Sequence, residues 1–253
     1  HPSESVKGEI EFDHVSFAYP EAGENVLTDI SFKAKKGQTI AVIGSTGSGK
    51  STLINLIPRY YDVTKGSVKV DGVDVRDMTQ KELRDKLGYV PQKGVLFSGT
   101  IDSNIRYGKP EITDAQVKEA AEVAQATEFI DTKPEKYESP VSQGGTNVSG
   151  GQKQRLSIAR AIAKEPEIFI FDDSFSALDF KTDSQLRKAL KEYTKDATTV
   201  IVAQRISTIL GADQIIVLDD GHMAGIGTHK ELMANCEVYQ QIARSQLSEE
   251  ELA

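Results

Sequence analysis

Cysteine is almost absent from this sequence, since Cys236 is the only one among 253 residues. A single cysteine excludes a disulfide framework and a cysteine-cluster metal site within one chain, and it suits a reducing compartment. We therefore interpret Cys236 as an inert, small apolar side chain.

An excess of basic residues is also missing. Lys and Arg number 30 against 38 Asp and Glu, which gives a net charge of −8. This balance, without any long basic block, argues against a dedicated nucleic-acid surface and against adsorption to anionic lipid. We expect no nucleic-acid partner.

Long apolar runs are the third absence, because no stretch approaches the roughly 20 apolar residues of a membrane span. Residues 1–5 lack the charged and apolar regions of a secretion signal. We expect the chain as given to be soluble. The polar start and the acidic end at residues 248–251 are typical of domain edges and compatible with membrane segments upstream.

What the sequence does contain is a phosphate-binding pattern, since residues 44–51 read GSTGSGKS and match G-x-x-x-x-G-K-[ST]. Residues 39–43 predict a buried strand entering the loop, and residues 51–57 predict a helix leaving it. Backbone N–H groups and a helix N-terminus then converge on the phosphates of a nucleotide. We expect Lys50 to neutralise phosphate charge and the Ser51 hydroxyl to ligate Mg²⁺. The predicted nucleotide-binding residues of this segment are Gly44, Ser45, Thr46, Gly47, Ser48, Gly49, Lys50, Ser51 and Thr52.

The order of apolar runs predicts an α/β fold. Short alternating runs between residues 10 and 80 favour a mostly antiparallel sheet, and residues 102–164 have helix-forming composition with a helix start at 113–116. Apolar runs at 168–171 and 199–202 predict buried parallel strands, with a helical segment at 184–193 between them. Residues 214–218 and 221–228 predict a strand and hairpin, and a terminal helix follows from Lys230.

A carboxylate ends the first of these late apolar runs, where residues 168–172 read IFIFD. Phosphate-loop proteins present such an Asp to Mg²⁺ or to its water shell. Asp172 is therefore a predicted metal residue, and an ordinary strand ending at an exposed Asp is the alternative.

A resemblance to a known family follows from residues 148–155, which read VSGGQKQR. Together with the phosphate loop and Asp172, this segment resembles the signature of the ATP-binding cassette (ABC) transporter ATPases, and the similarity covers nearly the whole chain. It implies a P-loop NTPase (RecA-like) core with an antiparallel β subdomain and a helical subdomain inserted between the Q-loop and the second core strand. Residues 1–253 would be one nucleotide-binding domain: 1–92 the β and P-loop part, 93–164 the helical subdomain, and 165–253 the rest of the core and the terminal helix.

Other positions match the family in order. Tyr19 lies where the family places an aromatic ring on adenine, with a buried structural tyrosine as the alternative. Gln92 resembles the Q-loop glutamine, which reaches Mg²⁺ and the attacking water while its loop touches the transmembrane partner. Asp179 belongs to a segment similar to the D-loop, which crosses the dimer interface. The resemblance thus implies ATP and Mg²⁺ as ligands, with Ser51, Gln92 and Asp172 at the metal.

The signature implies a second subunit. Ser149 and the amides of Gly150 and Gly151 would form a donor cluster opening a helix from Gln152, suited to the γ-phosphate of ATP held by another subunit. A capped helix without a ligand is the alternative. Because the phosphate loop already serves the chain's own nucleotide, the resemblance implies ATP sandwiched head-to-tail between two domains.

The kind of transporter is indicated by residues 96–108, which read LFSGTIDSNIRYG. They resemble the segment after the Q-loop in exporter-type members, where the ATPase is fused behind a transmembrane domain. The resemblance implies transmembrane partners and a place on the cytoplasmic face of the cell membrane.

Three departures from the family pattern concern hydrolysis and coupling. Asp173 stands where efficient members have Glu, one methylene longer, and a shift of about 1 Å at a catalytic group can cost about 100-fold in rate. Gln204 replaces the switch histidine, so it can hydrogen-bond the γ-phosphate but cannot carry a proton. Residues 139–145 read SPVSQGG and lack the glutamate that exporters usually carry there.

These departures resemble the degenerate-site subunit of a heterodimeric ABC exporter, an ATPase with weak hydrolysis at its own site. Asp173, Gln204 and Gln92 would then belong to a slow site, and the signature would serve a partner with intact Glu and His. Two alternatives stay open: a homodimeric exporter ATPase in which Asp173 and Gln204 suffice, and a non-hydrolysing, ATP-dependent dimerisation or regulatory module. A soluble DNA-repair or translation ATPase is disfavoured by the exporter-like segment and the acidic charge.

Overall fold

A computed structural model describes residues 6–247, so the polar start and the acidic end noted above lie outside the described residues. The strands are β1 (Ile10–Phe17), β2 (Leu27–Ala34), β3 (Thr39–Gly44), β4 (Lys65–Val70), β5 (Val73–Asp74), β6 (Leu87–Val90), β7 (Gly99–Thr100), β8 (Pro140–Val141), β9 (Ile168–Asp172), β10 (Thr198–Val202), β11 (Gln214–Asp219) and β12 (His222–Gly227). The helices are α1 (Lys50–Asn55), α2 (Gln80–Asp85), α3 (Ile101–Ile105), α4 (Asp114–Val123), α5 (Thr127–Asp131), α6 (Gly150–Ala163), α7 (Phe180–Tyr193), α8 (His229–Asn235) and α9 (Glu237–Gln246).

The chain divides into two compact units. The first contains the residues up to Leu87 together with those from Asp196 onwards, and the second is Gly88–Lys195. The boundary falls inside β6, after its first residue. The subdivision at residues 92 and 164 that the family resemblance implies stays a prediction.

Two sheets build the first unit. One is antiparallel with strand order β2-β1-β4-β5, which confirms the sheet predicted around the phosphate loop. In the other, strands follow the order β12-β11-β3-β10, and β3 runs parallel to both β11 and β10. Residues 40–43 of β3 are buried, as expected of a parallel core strand. This strand delivers the chain to the phosphate loop.

The terminal helices complete the core of the first unit. The sequence predicted one helix from Lys230, but the structure has α8 and α9, because Cys236 adopts an extended conformation with φ −122° and ψ 106°. Cys236 is 4% exposed and lies in the core, where a small apolar side chain fits. The apolar cluster around it draws on β3, β11, the chain after β10, and both helices; its members are Ala41, Ile43, Ala203, Ile206, Ile209, Ala212, Ile215, Val217, Leu232, Tyr239, Ala243 and Leu247.

Helices dominate the second unit, in which β6 and β9 are neighbouring strands and α3 and α4 pack on α6. The predicted helix start at 113–116 is confirmed, since Thr113 and Gln116 form a reciprocal capping box before α4. Helix α7 begins at Phe180, earlier than the predicted segment, because the carboxylate of Asp179 caps it. The mixed α/β fold with a helical segment before β9 is therefore confirmed.

Helices long and apolar enough to cross a membrane do not occur among residues 6–247.

Candidate functional site

Glycines shape the loop between β3 and α1. Gly47 and Gly49 have φ values of 79° and 103°, which side-chain-bearing residues rarely adopt. A Cβ at Gly49 would lie 2.8 Å from a methyl carbon of Leu27, and one at Gly44 would lie 2.4 Å from the Leu218 carbonyl oxygen. Glycine is therefore required at these positions. The amides of the resulting loop lie directly before the N-terminus of α1.

Lys50 folds back over this loop. Its ammonium donates to the carbonyl oxygens of Gly44 and Ser45, at 2.6 and 3.1 Å. Residues 45–47 and Ser51 are exposed. An ammonium, a hydroxyl and loop amides at a helix N-terminus are the donors that bind phosphate, and oxygen donors such as Ser51 suit Mg²⁺. The residues present thus fit both a nucleotide phosphate and its metal ion.

Tyr19 lies next to this helix in the first unit. Its hydroxyl is hydrogen-bonded to the Thr52 hydroxyl at 2.9 Å. Its half-buried ring makes edge contacts with Phe17 and Tyr61, with centroid distances of 4.9 and 5.1 Å. These contacts hold the ring beside the phosphate loop, and its stacking on adenine stays a prediction.

Gln204 lies at the same sheet edge as the phosphate loop. Strand β10 is parallel to β3 with Val202 opposite Val42, and the Ala203 amide donates to the Val42 carbonyl at 3.4 Å. Because parallel neighbours end at the same edge, Gln204 comes to the side where β3 enters the loop. The Gln204 main-chain carbonyl accepts a hydrogen bond from Gln246 of α9 at 2.8 Å.

In the second unit, Asp172 and Gln92 follow neighbouring strands. Asp172 is the last residue of β9, and the Tyr89 hydroxyl donates to its carboxylate at 3.5 Å. Gln92 is exposed, two residues beyond the end of β6. The Ser174 hydroxyl donates to the Val90 carbonyl at 2.6 Å, so the chain segments after the two strands lie side by side.

Sequence reasoning missed Gln154, which joins the segments after these strands. Its amide donates to the carbonyl oxygens of Pro91 and Ser174, at 3.0 and 2.7 Å. The side chain is 1% exposed although it is polar. The signal that could have found it is helical spacing, because Gln154 lies on the same face as Ile158 and Ile162.

Asp173 has an uncommon backbone conformation. Its φ is 52°, in the left-handed region, which Asp and Asn tolerate better than most residues. The Ser176 amide and hydroxyl both donate to the Asp173 carbonyl, at 3.4 and 3.0 Å. The turn carrying the carboxylate is therefore fixed by local hydrogen bonds from Ser176.

The signature segment caps α6. The Ser149 hydroxyl accepts from the Gln152 amide at 3.2 Å, and the Gln152 side chain accepts from the Ser149 amide at 3.4 Å. The helix starts at Gly150, two residues earlier than predicted. Within the described chain, a Cβ at Gly150 would meet no heavy atom closer than 4 Å. The chain's own packing therefore does not require glycine there.

Asp179 caps α7. Its carboxylate accepts from the amide and the hydroxyl of Thr182, at 2.8 and 2.9 Å. These hydrogen bonds, first from the amide and then from the hydroxyl, lower the pKa of Asp179. The side chain is exposed, so the residue combines a structural role with an accessible position.

The predicted site residues thus form two groups. In the first unit the structure brings together the phosphate loop, Tyr19 and the Gln204 segment. In the second unit it places Gln92 and Asp172 at neighbouring strand ends, with Asp173, the signature residues and Asp179 in the same unit.

Comparison with known proteins identifies the family of the chain. A family model described as ABC transporter matches residues 27–176. An uncharacterised ABC transporter ATP-binding protein of Mycobacterium tuberculosis is 48% identical over 97% of this chain and 42% of that protein. A second relative is a Staphylococcus aureus ATP-binding/permease protein for which multidrug export has been proposed. It is 46% identical over 95% of this chain and 42% of that protein.

A solved structure resembles the fold closely. The structure of a bacterial Atm1-family ABC exporter with ATP bound superposes with a TM-score of 0.92 and 38% identity, covering 97% of this chain and 43% of that one. The chain belongs to the ABC transporter family. It is an ABC-type ATPase domain that binds ATP, and it spans 42% of the length of the curated relatives described above.

Proposed function

We propose that the chain is the nucleotide-binding domain of an ABC exporter, which works on the cytoplasmic face of the cell membrane. The support is the name of the Staphylococcus aureus relative, which joins an ATP-binding part to a permease, and the exporter-like segment at residues 96–108. In this proposal residues 1–253 act as one domain, and its two groups of site residues serve nucleotide.

The domain's own ATP would be held by the phosphate loop, with Lys50 at the phosphates and Tyr19 at the base. Ser51, Asp172 and Gln92 would hold Mg²⁺ through oxygen atoms, which that ion prefers. When bound, Mg²⁺ would neutralise charge on the phosphate oxygens. Asp173 and Gln204 would face the γ-phosphate and the attacking water.

The signature would serve a second ABC domain. Ser149 and Gln152 cap the helix reciprocally, while Gly150 is exposed and open to the approach of a ligand from outside the chain. A helix N-terminus with this accessibility suits an anion. ATP would therefore be bound between two domains, with the signature residues Ser149, Gly150, Gly151 and Gln152 contacting the partner's ATP and Asp179 at the interface.

The observation that carries the finer proposal is the identity of Gln204 at the edge next to the phosphate loop. Its carboxamide can donate to phosphate but cannot shuttle a proton as imidazole does. Asp173, in its left-handed turn, offers a carboxylate one methylene shorter than Glu. We propose that this domain's own site is slow, and that a different subunit with intact Glu and His forms the fast site.

Coupling to transmembrane domains would use an apolar surface in the second unit. Val95, Phe97 and Tyr107 are 50%, 40% and 57% exposed. Phe97 and Tyr107 stack at 4.3 Å, and the Arg160 guanidinium lies 5.3 Å from the Phe97 ring centre while donating to the Val95 carbonyl at 2.8 Å. Burial lowers the pKa of Arg160. The rings are thus held together at an exposed apolar surface, and aromatic residues at such a surface favour docking of a partner.

In this mechanism ATP joins the two domains, and loss of the γ-phosphate lets them part. Opening would be transmitted through the segment after Gln92. ADP should therefore dimerise the domains poorly.

Turnover tests the proposal most directly. ATP hydrolysis by the purified chain is compared with that of its Asp173→Glu, Gln204→His double variant, and ATP binding is checked in both. We expect near-zero turnover in the unaltered chain and a clear gain in the double variant, with similar ATP affinity. Brisk turnover by the unaltered chain would replace the degenerate site with the homodimeric alternative.

The heterodimer has its own test. In the complex with an intact partner, Asp173→Ala should leave most turnover in place, since the partner's glutamate performs it. Loss of most turnover would show that Asp173 is the working catalytic group. ATP binding without turnover, even beside an intact partner, would instead favour the regulatory module.

A further inference from the structure

The side chain of Gln246 bridges the loop that carries Gln204. Its amide nitrogen donates to the Gln204 carbonyl at 2.8 Å, and its carbonyl oxygen accepts from the Ile206 amide at 2.8 Å. One carboxamide thus holds the main chain on both sides of Arg205. Residues 204–206 of this loop and Gln246 belong to the same compact unit.

Apolar packing fixes the helix from which Gln246 projects. Tyr239 and Ala243 of α9 are 0% exposed, one helical turn apart, and Leu247 follows one turn later at 9%. These three side chains share a core cluster with Ala203 and Ile206, which flank the loop. The packing therefore places α9 against the loop. Because apolar packing is not directional, the hydrogen bonds of the Gln246 carboxamide fix the orientation of this contact.

The loop needs such a partner because of its backbone. Arg205 is extended, with φ −97° and ψ 122°, and it precedes a single 3-10 turn at Ile206–Thr208. The first amides of such a turn have no acceptor within it. Gln246 supplies the acceptor for Ile206 and simultaneously fixes the carbonyl of Gln204, so the position of the Gln204 Cα depends on α9.

We propose that Gln246 is a positioning residue for Gln204, and that helix α9 thereby regulates the ATP site. The inference rests on the proposed function in that Gln204 acts on the γ-phosphate. When its main chain is held in place, the carboxamide of Gln204 reaches the phosphate in a fixed position. A shift of about 1 Å at a catalytic group can lower the rate by up to about 100-fold. Any partner that displaces α9 would release the loop and slow the site.

The first test examines the clamp without nucleotide. Amide hydrogen exchange is measured in Gln246→Met and in the matched control Gln241→Met, an exposed glutamine of the same helix with no side-chain hydrogen bond among residues 6–247. We expect the Ile206 amide to exchange about fivefold faster or more in Gln246→Met, as the loss of one hydrogen bond implies. Unchanged exchange in Gln246→Met would overturn the clamp. Gln246→Ala repeats the test if the Met variant fails to fold.

The second test examines the consequence for ATP chemistry. Gln246→Met is introduced into the Asp173→Glu, Gln204→His double variant, where turnover is measurable, and kcat and KM are determined for Mg-ATP. We expect kcat to fall about fivefold or more, with only the modest rise in KM that faster ATP dissociation implies, and Gln241→Met to have no effect. In a matched Asp173→Glu, Gln204→Ala background, Gln246→Met should have no further effect on kcat, because the changes at positions 204 and 246 act through one side chain.

The outcomes separate the two proposals. Gln246→Met could speed exchange of the Ile206 amide and yet lower kcat equally in the backgrounds with His and with Ala at position 204. That result would overturn the positioning role, because the loss would not act through residue 204, while leaving the proposed function intact. If the double variant gains no turnover, the degenerate-site proposal fails. The clamp is then decided by exchange together with the dissociation rate of ATP, which Gln246→Met should raise and Gln241→Met should not.

Discussion

The buried hydroxyl of Ser174 donates a 2.6 Å hydrogen bond to the carbonyl oxygen of Val90, 84 residues earlier in the chain. Both residues are 0% exposed. This bond joins the segment that begins at Asp173 to the strand that precedes Gln92. The same Ser174 also accepts from Gln154 through its own carbonyl, at 2.7 Å. Three segments that carry predicted site residues are thus held together by two polar side chains.

The first prediction concerns that contact. Ser174→Ala removes a buried donor and should lower the free energy of unfolding by about 1–3 kcal/mol. In the Asp173→Glu, Gln204→His double variant, where turnover is measurable, it should also lower ATP turnover, because the Gln92 segment is released. Urea denaturation and turnover measure the two effects. Ser184→Ala, an exposed serine of α7, is the control and should stay within about 0.5 kcal/mol. Equal effects of the two substitutions would contradict the role given to Ser174.

The second prediction separates the signature from the domain's own site. Gly150→Ala adds a methyl group where the chain itself leaves space, so the fold and ATP affinity of the isolated chain should be retained. In the dimer the methyl group would intrude on the partner's nucleotide, and turnover at the partner's site should fall about tenfold or more. Gly211→Ala, also in open space, is the control. Normal turnover of the dimer with Gly150→Ala would argue against the sandwich.

The third prediction tests Tyr19 as the base-binding ring. Tyr19→Phe removes only the hydroxyl bonded to Thr52 and should change ATP affinity little. Tyr19→Ala removes the ring and should weaken ATP binding about tenfold, which corresponds to roughly 1.4 kcal/mol of lost stacking. Equilibrium binding measures both, with Tyr60→Ala, an exposed ring, as the control. A larger loss in Tyr19→Phe than in Tyr60→Ala, with no further loss in Tyr19→Ala, would assign Tyr19 a purely structural role.

The fourth prediction is a pH dependence in the terminal core. Burial raises the pKa of Tyr239 from its ordinary value of 10.0 to about 12, and its hydroxyl is hydrogen-bonded to His229 at 2.6 Å. Because the folded chain holds this proton more tightly than the unfolded chain, the stabilisation is complete below pH 10 and is lost as the pH rises towards 12.

Tyr239→Phe tests this directly. The variant should be less stable than the unaltered chain at pH 8, since it loses the hydrogen bond, and the difference between the two should shrink between pH 10 and 12. Denaturant unfolding at a series of pH values measures both. A constant difference in stability across that range would mean that ionisation of Tyr239 does not destabilise the folded chain.

Much of the fold was predictable because its signals are local. The apolar run of β3 and the capping residues of α4 are short-range patterns, and both were confirmed. The break between α8 and α9 was not predictable. The extended conformation of Cys236 satisfies the packing of Leu232 and Tyr239 in one cluster. The local signal for it is Asn235, a residue that favours helix ends but also occurs within helices.

The candidate site divides in the same way. The phosphate loop, Asp172 and the signature could be identified because their chemistry needs fixed residue types at fixed spacing. Helical spacing could have placed Gln154 on the buried face of α6, but the partners of Gln154 and of Gln246 could not be predicted, because each carboxamide bonds to main-chain atoms. A main-chain carbonyl leaves no trace in the sequence, so its acceptor role is visible only in three dimensions.

The sequence by itself determined the family, and it predicted the residues that would meet nucleotide, because local order and residue chemistry encode both. It also determined the substitutions Asp173 and Gln204, on which the proposal of a slow site depends. Only the tertiary structure decided that Asp173 lies in a left-handed turn, that Ser174 fastens it to Val90, and that Gln246 holds the Gln204 loop. The last two features depend on contacts between distant parts of the chain, which form only when the apolar core brings them together.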